Sequence, residues 1–177
     1  DEKRKVDKRL KEIEETIRRL LEEHRRELDE IRKRIEEISR RHRKELEDIE
    51  REVRKIISRI DDERTVERIR EELKRVKEDA DEVNRKLKEI LERIEKRARE
   101  SDEKVKRILD EIRKKVRDRE PSEDLIRDVE RVMREVKRDL ERSLEELRDV
   151  VRRAEEEVRA TLRKLREILK KVEDETR

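Results

Sequence analysis

The chain has 177 residues, of which 64% are Asp, Glu, Lys or Arg, and it contains no Gly, Cys, Phe, Tyr or Trp. A sheet protein rarely turns its corners without glycine, so all-α is the fold class that fits, and the absence of cysteine excludes disulfides, thiolate metal sites and a thiol nucleophile. The 58 basic and 55 acidic residues leave a net charge of only +3. The two signs interleave along the chain, which suits i, i+4 ion pairs on solvated helix faces and leaves little long-range field to attract nucleic acid or anionic lipid.

The first predicted helix covers residues 2–60. Its apolar series is Val6, Leu10, Ile13, Ile17, Leu20, His24, Leu28, Ile31, Ile35, Ile38, His42, Leu46, Ile49, Val53, Ile56 and Ile60, with steps of 4 and 3 whose phase restarts every 18 residues. Eighteen residues over five turns average about 3.6 per turn, the period of a straight α-helix, whereas a strict heptad would impose a left-handed supercoil. A solitary charged helix has no need of such a seam, so the pattern argues for helices packed against one another.

The seam first lapses at Asp61-Asp62-Glu63-Arg64-Thr65, where aspartates offer N-caps and acidic side chains suit a first helical turn. A second helix, 63–118, carries the repeat as Ile69/Leu87/Val105, Leu73/Leu91/Leu109 and Val76/Ile94/Ile112. The only proline, Pro121, then ends one helix and opens the next, with Ser122 as its cap, and a third helix runs over 122–175 with Val129/Leu147/Leu165 and Met133/Val151/Leu169 in phase. Loops of two and three residues, 61–62 and 119–121, make consecutive helices antiparallel neighbours. The sequence therefore predicts one domain, an up-down-up three-helix bundle of long, nearly straight helices. The width of each apolar face suits two neighbours, which favours a monomer requiring no partner, with a homo-oligomer or a domain-swapped dimer as the alternative.

With a surface built from charged residues, the few uncharged polar side chains stand out. His24 and His42, the only histidines, lie one repeat apart in the seam; Ser101, Ser143 and Thr161 also take core positions, Asn84 lies one repeat after Val66, and Ser39 lies between Leu21 and Ile57. Matching Ile60 in height with Val66, and Val116 with Leu125, gathers them into two polar layers, His24/Ser101/Ser143 and His42/Asn84/Thr161 with Ser39 nearby. Neutral imidazole offers one donor and one acceptor, which hydroxyl and amide groups at the same height can meet, and a slipped packing would bury them all unpaired.

Other chemistries fare worse. Two histidines about five turns apart on one helix cannot share a metal ion, and neither has a second His or Cys within a turn. No cofactor or metal is expected, and no catalytic residue: a Ser and a His share a layer, but no glycine turn or oxyanion hole accompanies them. Stacking aromatics and a basic face for nucleic acid are missing, and no apolar run approaches a membrane span or a signal peptide, so the expectation is a soluble chain without a targeting segment, suited to cytoplasmic expression.

The 18-residue repeat, the Val/Ile/Leu/Ala core, the Pro121-Ser122-Glu123-Asp124 connection and the polar residues reserved for caps and layers together make the whole chain resemble computationally designed straight helical bundles with buried hydrogen-bond networks. The repeated buried histidines resemble those of pH-responsive members of that group, although those assemblies are oligomers of hairpins and this chain holds three helices. The resemblance implies a non-enzymatic scaffold in which the layers specify packing. The alternatives are a bundle or oligomer switched by protonation of His24 and His42, and a module that exchanges a helix with a partner chain.

Overall fold

A computed structural model describes residues 2–176. They form three α-helices, α1 (Glu2–Ile57), α2 (Glu63–Asp118) and α3 (Glu123–Glu175), with no strand among the described residues. Each helix packs against the other two, giving an all-α three-helix bundle. The chain divides into two compact units, Asp1–Arg32 with Glu92–Arg148, and Lys33–Leu91 with Asp149–Arg177.

The helix ends follow their local chemistry. α1 stops at Ile57, three residues before the end the apolar pattern predicts, because the backbone tightens: Arg59 and Ile60 donate to the carbonyls of Ile56 and Ile57, three residues back, while the Ser58 hydroxyl takes the Lys55 carbonyl at 2.6 Å. Asp62 then caps α2, accepting the Arg64 amide at 3.2 Å and the Thr65 hydroxyl at 2.8 Å, while its own carbonyl accepts the Val66 amide. Ser122 caps α3 in the same way, its hydroxyl accepting the Leu125 amide at 3.2 Å and its carbonyl the Ile126 amide. Ser122 is thus the cap and α3 begins at Glu123, one residue later than the predicted start. Beside this turn Arg119 reaches Asp128 at 2.6 Å, a hydrogen bond that holds the Asp128 carboxyl below its ordinary range.

In the first compact unit the core is built from Val6, Leu10, Ile13, Ile17 and Leu21 of α1, Val105 and Ile112 of α2, and Leu125, Val129, Val136 and Leu140 of α3. Leu20, which the repeat places in the seam, is only half-buried, and Leu21 is inside; in the second unit Ile56 and Ile57 stand in the same relation. A face pressed against two helices at once buries a pair of adjacent positions per turn, and the weight of burial falls on the second of each pair. In the second unit Ile35, Ile49, Val53, Leu87, Val151 and Leu165 fill the interior.

Ion pairs along the helix flanks record the register. In the first unit Arg9 meets Glu130, and in the second Arg34 meets Glu155 and Arg166 meets Glu45, each joining residues 121 apart on helices that run parallel. Between antiparallel α1 and α2 the pairs are Arg25–Asp102 and Arg113–Glu14 in the first unit and Lys77–Glu50 in the second. Most are well exposed and contribute about 0–1 kcal/mol each, so the apolar core supplies the stability and the pairs supply alignment. Glu50 is the most buried of these carboxylates, lying between Arg54 at 2.6 Å and Lys77 at 2.8 Å with 13% of its side chain exposed.

Candidate functional site

Each compact unit holds one histidine on the inner face of α1. His24 is 2% exposed and His42 is wholly enclosed, as expected of seam positions. Both find a partner on α2, because antiparallel packing brings α2 past α1 with residue numbers falling as those of α1 rise.

In the first unit His24 Nε2 lies 3.1 Å from the Ser101 hydroxyl. Ser143, on α3, is also buried, but its hydroxyl accepts a hydrogen bond from Arg97 Nη1 at 3.1 Å, and the same nitrogen reaches Glu146 at 3.1 Å. The layer therefore has two pairs, His24–Ser101 and Arg97–Ser143, where a single three-member network was expected. Arg97 sits one turn before Ser101 on the same face of α2, and its planar guanidinium satisfies both the buried hydroxyl and the surface carboxylate, a reach that no serine has. Outside the layer Arg25 pairs with Asp102 at 2.8 Å.

These charges bear on the imidazole. The His24 pKa lies below the ordinary value of 6.5 because burial strips water from the charged form; the Arg97 cation lowers it further and Asp102 opposes both. Its Nδ1 is buried without a hydrogen-bond partner. A second proton would therefore enter a site with a cation nearby, and of the charged ring's two N–H groups the one on Nδ1 would have no acceptor.

In the second unit His42 Nδ1 donates to the Asn84 side-chain oxygen at 3.0 Å, which puts the proton of the neutral ring on Nδ1 and leaves Nε2 as a bare acceptor. Nε2 is enclosed and unpartnered. Thr161 is buried at the expected face, but its hydroxyl donates to the Glu157 carbonyl of its own helix at 2.9 Å, so it does not join Asn84. This back-bond is open to any helical threonine and competes with a partner on another helix. Asn84 and Ser39 are half-buried, and no hydrogen bond ties Ser39 to the layer among the described residues.

The sequence therefore names the buried residues but not all the bonds among them. It passes over Arg97 because arginine in a chain of this composition reads as surface. The available signal was its position four residues before Ser101 at nearly the height of Ser143.

The Ser101 hydroxyl and His24 stand at the spacing of a nucleophile and its base. Yet both are enclosed, and Nδ1 of His24, where an orienting carboxylate would sit in a triad, has no partner. Among the described residues no three His, Asp or Glu side chains gather into a metal-holding group, and no helix is long and apolar enough to cross a membrane. No protein-family model and no curated protein sequence matches the chain.

Proposed function

We propose that the chain is a non-catalytic structural scaffold of the designed-bundle type, in which the two histidine layers select one helix register. The observation that carries this reading is that each buried histidine of α1 is hydrogen-bonded to a side chain of α2, His24 to Ser101 and His42 to Asn84. The apolar seam recurs every three or four residues, so a slip of α2 along α1 by one turn would still pair apolar with apolar. It would, however, leave both imidazoles without their partners, at about 1–3 kcal/mol for each orphaned group. A variant with His24, Ser101, His42 and Asn84 all replaced by Leu tests the proposal by amide NMR. It is expected to remain helical but to give doubled or broadened resonances from competing registers; one sharp set with the parent's contacts between α1 and α2 would sink the idea.

A second reading, a pH-responsive bundle, is favoured by one specific feature, the burial of His24, its Nδ1 unpartnered, in the same layer as the Arg97 cation that bonds Ser143. Protonation there meets desolvation and a like charge together. In this reading His24 is the sensor and the first compact unit is the part that loosens in acid.

A further inference from the structure

The second compact unit carries a groove of about 400 Å³ between α1 and α3, directly beside the second histidine layer. Its apolar wall is Ile38, Val158 and Leu162, and His42 contributes to the lining. Around it stand Arg34, Arg41, Arg159, Arg163 and Arg166 against Glu45 and Glu155, five cations and two anions. The difference, +3, equals the net charge of the whole 177-residue chain. Even with Glu37, which pairs with Arg41 at 2.9 Å, the excess is +2. In a chain whose charges otherwise alternate, this is a local concentration of one sign.

The carboxylates do not neutralise it evenly. Arg34 is committed to Glu155 at 2.7 Å, and that bond strengthens its hold on its proton; Arg166 is committed to Glu45 at 2.9 Å. Arg159 reaches Glu155 only at 3.9 Å, and Arg163 has no ion pair among the described residues. Arg159 and Arg163 are one turn apart on α3, the spacing at which like charges repel. The constant offset of 121 between paired residues of α1 and α3 puts Arg163 level with His42.

His42 supplies the second, independent observation. Its Nδ1 is turned to Asn84 on α2, and Nε2, at the far side of the ring, is buried and bare. A bare Nε2 accepts a hydrogen bond, so the group that would satisfy it is a donor, while the surrounding guanidiniums call for an anion with several acceptor oxygens. Hydrogen phosphate has both, a P–O–H to donate and charged oxygens that match guanidinium forks; sulfate at neutral pH has only the oxygens.

We propose that this groove binds a small phosphate-class oxyanion, held by Arg41, Arg159 and Arg163 over the unpartnered Nε2 of His42. The apolar wall of Ile38, Val158 and Leu162 excludes water from one side and strengthens the charge-assisted bonds. The proposal is independent of the scaffold reading, since a register-setting layer needs no ligand.

The test is titration of the full chain with inorganic phosphate at pH 7 in about 0.15 M NaCl, where diffuse attraction between exposed charges is screened. The expected result is saturable one-to-one binding that shifts the His42 ring resonances. Arg163→Ala is expected to weaken binding by about tenfold, the loss of one charge-assisted contact. Arg138→Ala, an exposed arginine in the other compact unit, is expected to leave it unchanged. Sulfate is expected to bind more weakly than phosphate. Non-saturable binding, equal weakening by the two arginine variants, an unmoved His42 resonance, or sulfate binding as tightly as phosphate would each overturn the assignment.

Discussion

Replacing Asn84 by Ala isolates what a single cross-helix hydrogen bond contributes. His42 is fully enclosed, its one partner is the Asn84 oxygen at 3.0 Å, and its other nitrogen already lacks a partner. Removing that oxygen leaves the Nδ1–H donor buried and unmet, at a cost of about 1–3 kcal/mol. Asn84 itself is half-buried, so water can enter the space its side chain vacates, and the expected loss is at the lower end, about 1–2 kcal/mol. His42→Leu behaves differently: it removes the group that needs satisfying and substitutes apolar volume of similar size, so it is expected to be neutral or stabilising. The double variant then costs less than Asn84→Ala alone, and the cycle gives a coupling of about 1 kcal/mol or more. Guanidinium chloride unfolding monitored by circular dichroism measures all four proteins, read at constant m-value so that the comparison is one of stability. An Asn84→Ala loss below about 0.5 kcal/mol, or a His42→Leu loss larger than that of Asn84→Ala, would refute the reasoning, because either result means that the imidazole does not depend on this bond.

Two further outcomes concern the His24 layer. With the folded-state pKa below 6.5, the unfolded chain binds the proton more readily, so this group's contribution to stability is fully present above about pH 6.5 and is lost as pH falls towards the folded value. The denaturation midpoint of the parent is therefore expected to drop between pH 7.5 and pH 5.5, and the drop to shrink in His24→Leu; an equal drop in both proteins would remove His24 as its source. In Arg97→Ala the loss of the nearby cation is expected to raise the His24 pKa towards 6.5, while burial keeps it below that value. A ¹H NMR titration of the ring proton checks this, and an unchanged or lower pKa would contradict the role given to the guanidinium.

What could be read from residues alone was whatever depends on local periodicity. Apolar steps of 3 and 4 set three helices because backbone geometry fixes which side chains share a face. Asp62 and Ser122 announce their helix starts because capping involves only the next three or four residues. Even the relative heights of α1 and α2 followed, since two short connections leave the antiparallel helices little freedom to slide, and His24–Ser101 and His42–Asn84 fall within a residue of the heights expected from the loops. Burial of the seam was legible to within one position, as Leu20 and Leu21 show: periodicity identifies the face but not which of two adjacent residues points between both neighbours.

Tertiary structure alone decided which polar groups bond to one another. Ser143 turned to Arg97 and Thr161 to its own helix carbonyl because each hydroxyl chooses among several partners separated by a rotation about one or two bonds, and sequence spacing does not rank those rotamers. The two bare imidazole nitrogens and the arginine-rimmed groove beside His42 have the same origin. They depend on which side chains from separate helices meet, a property that no single helix carries in its own pattern.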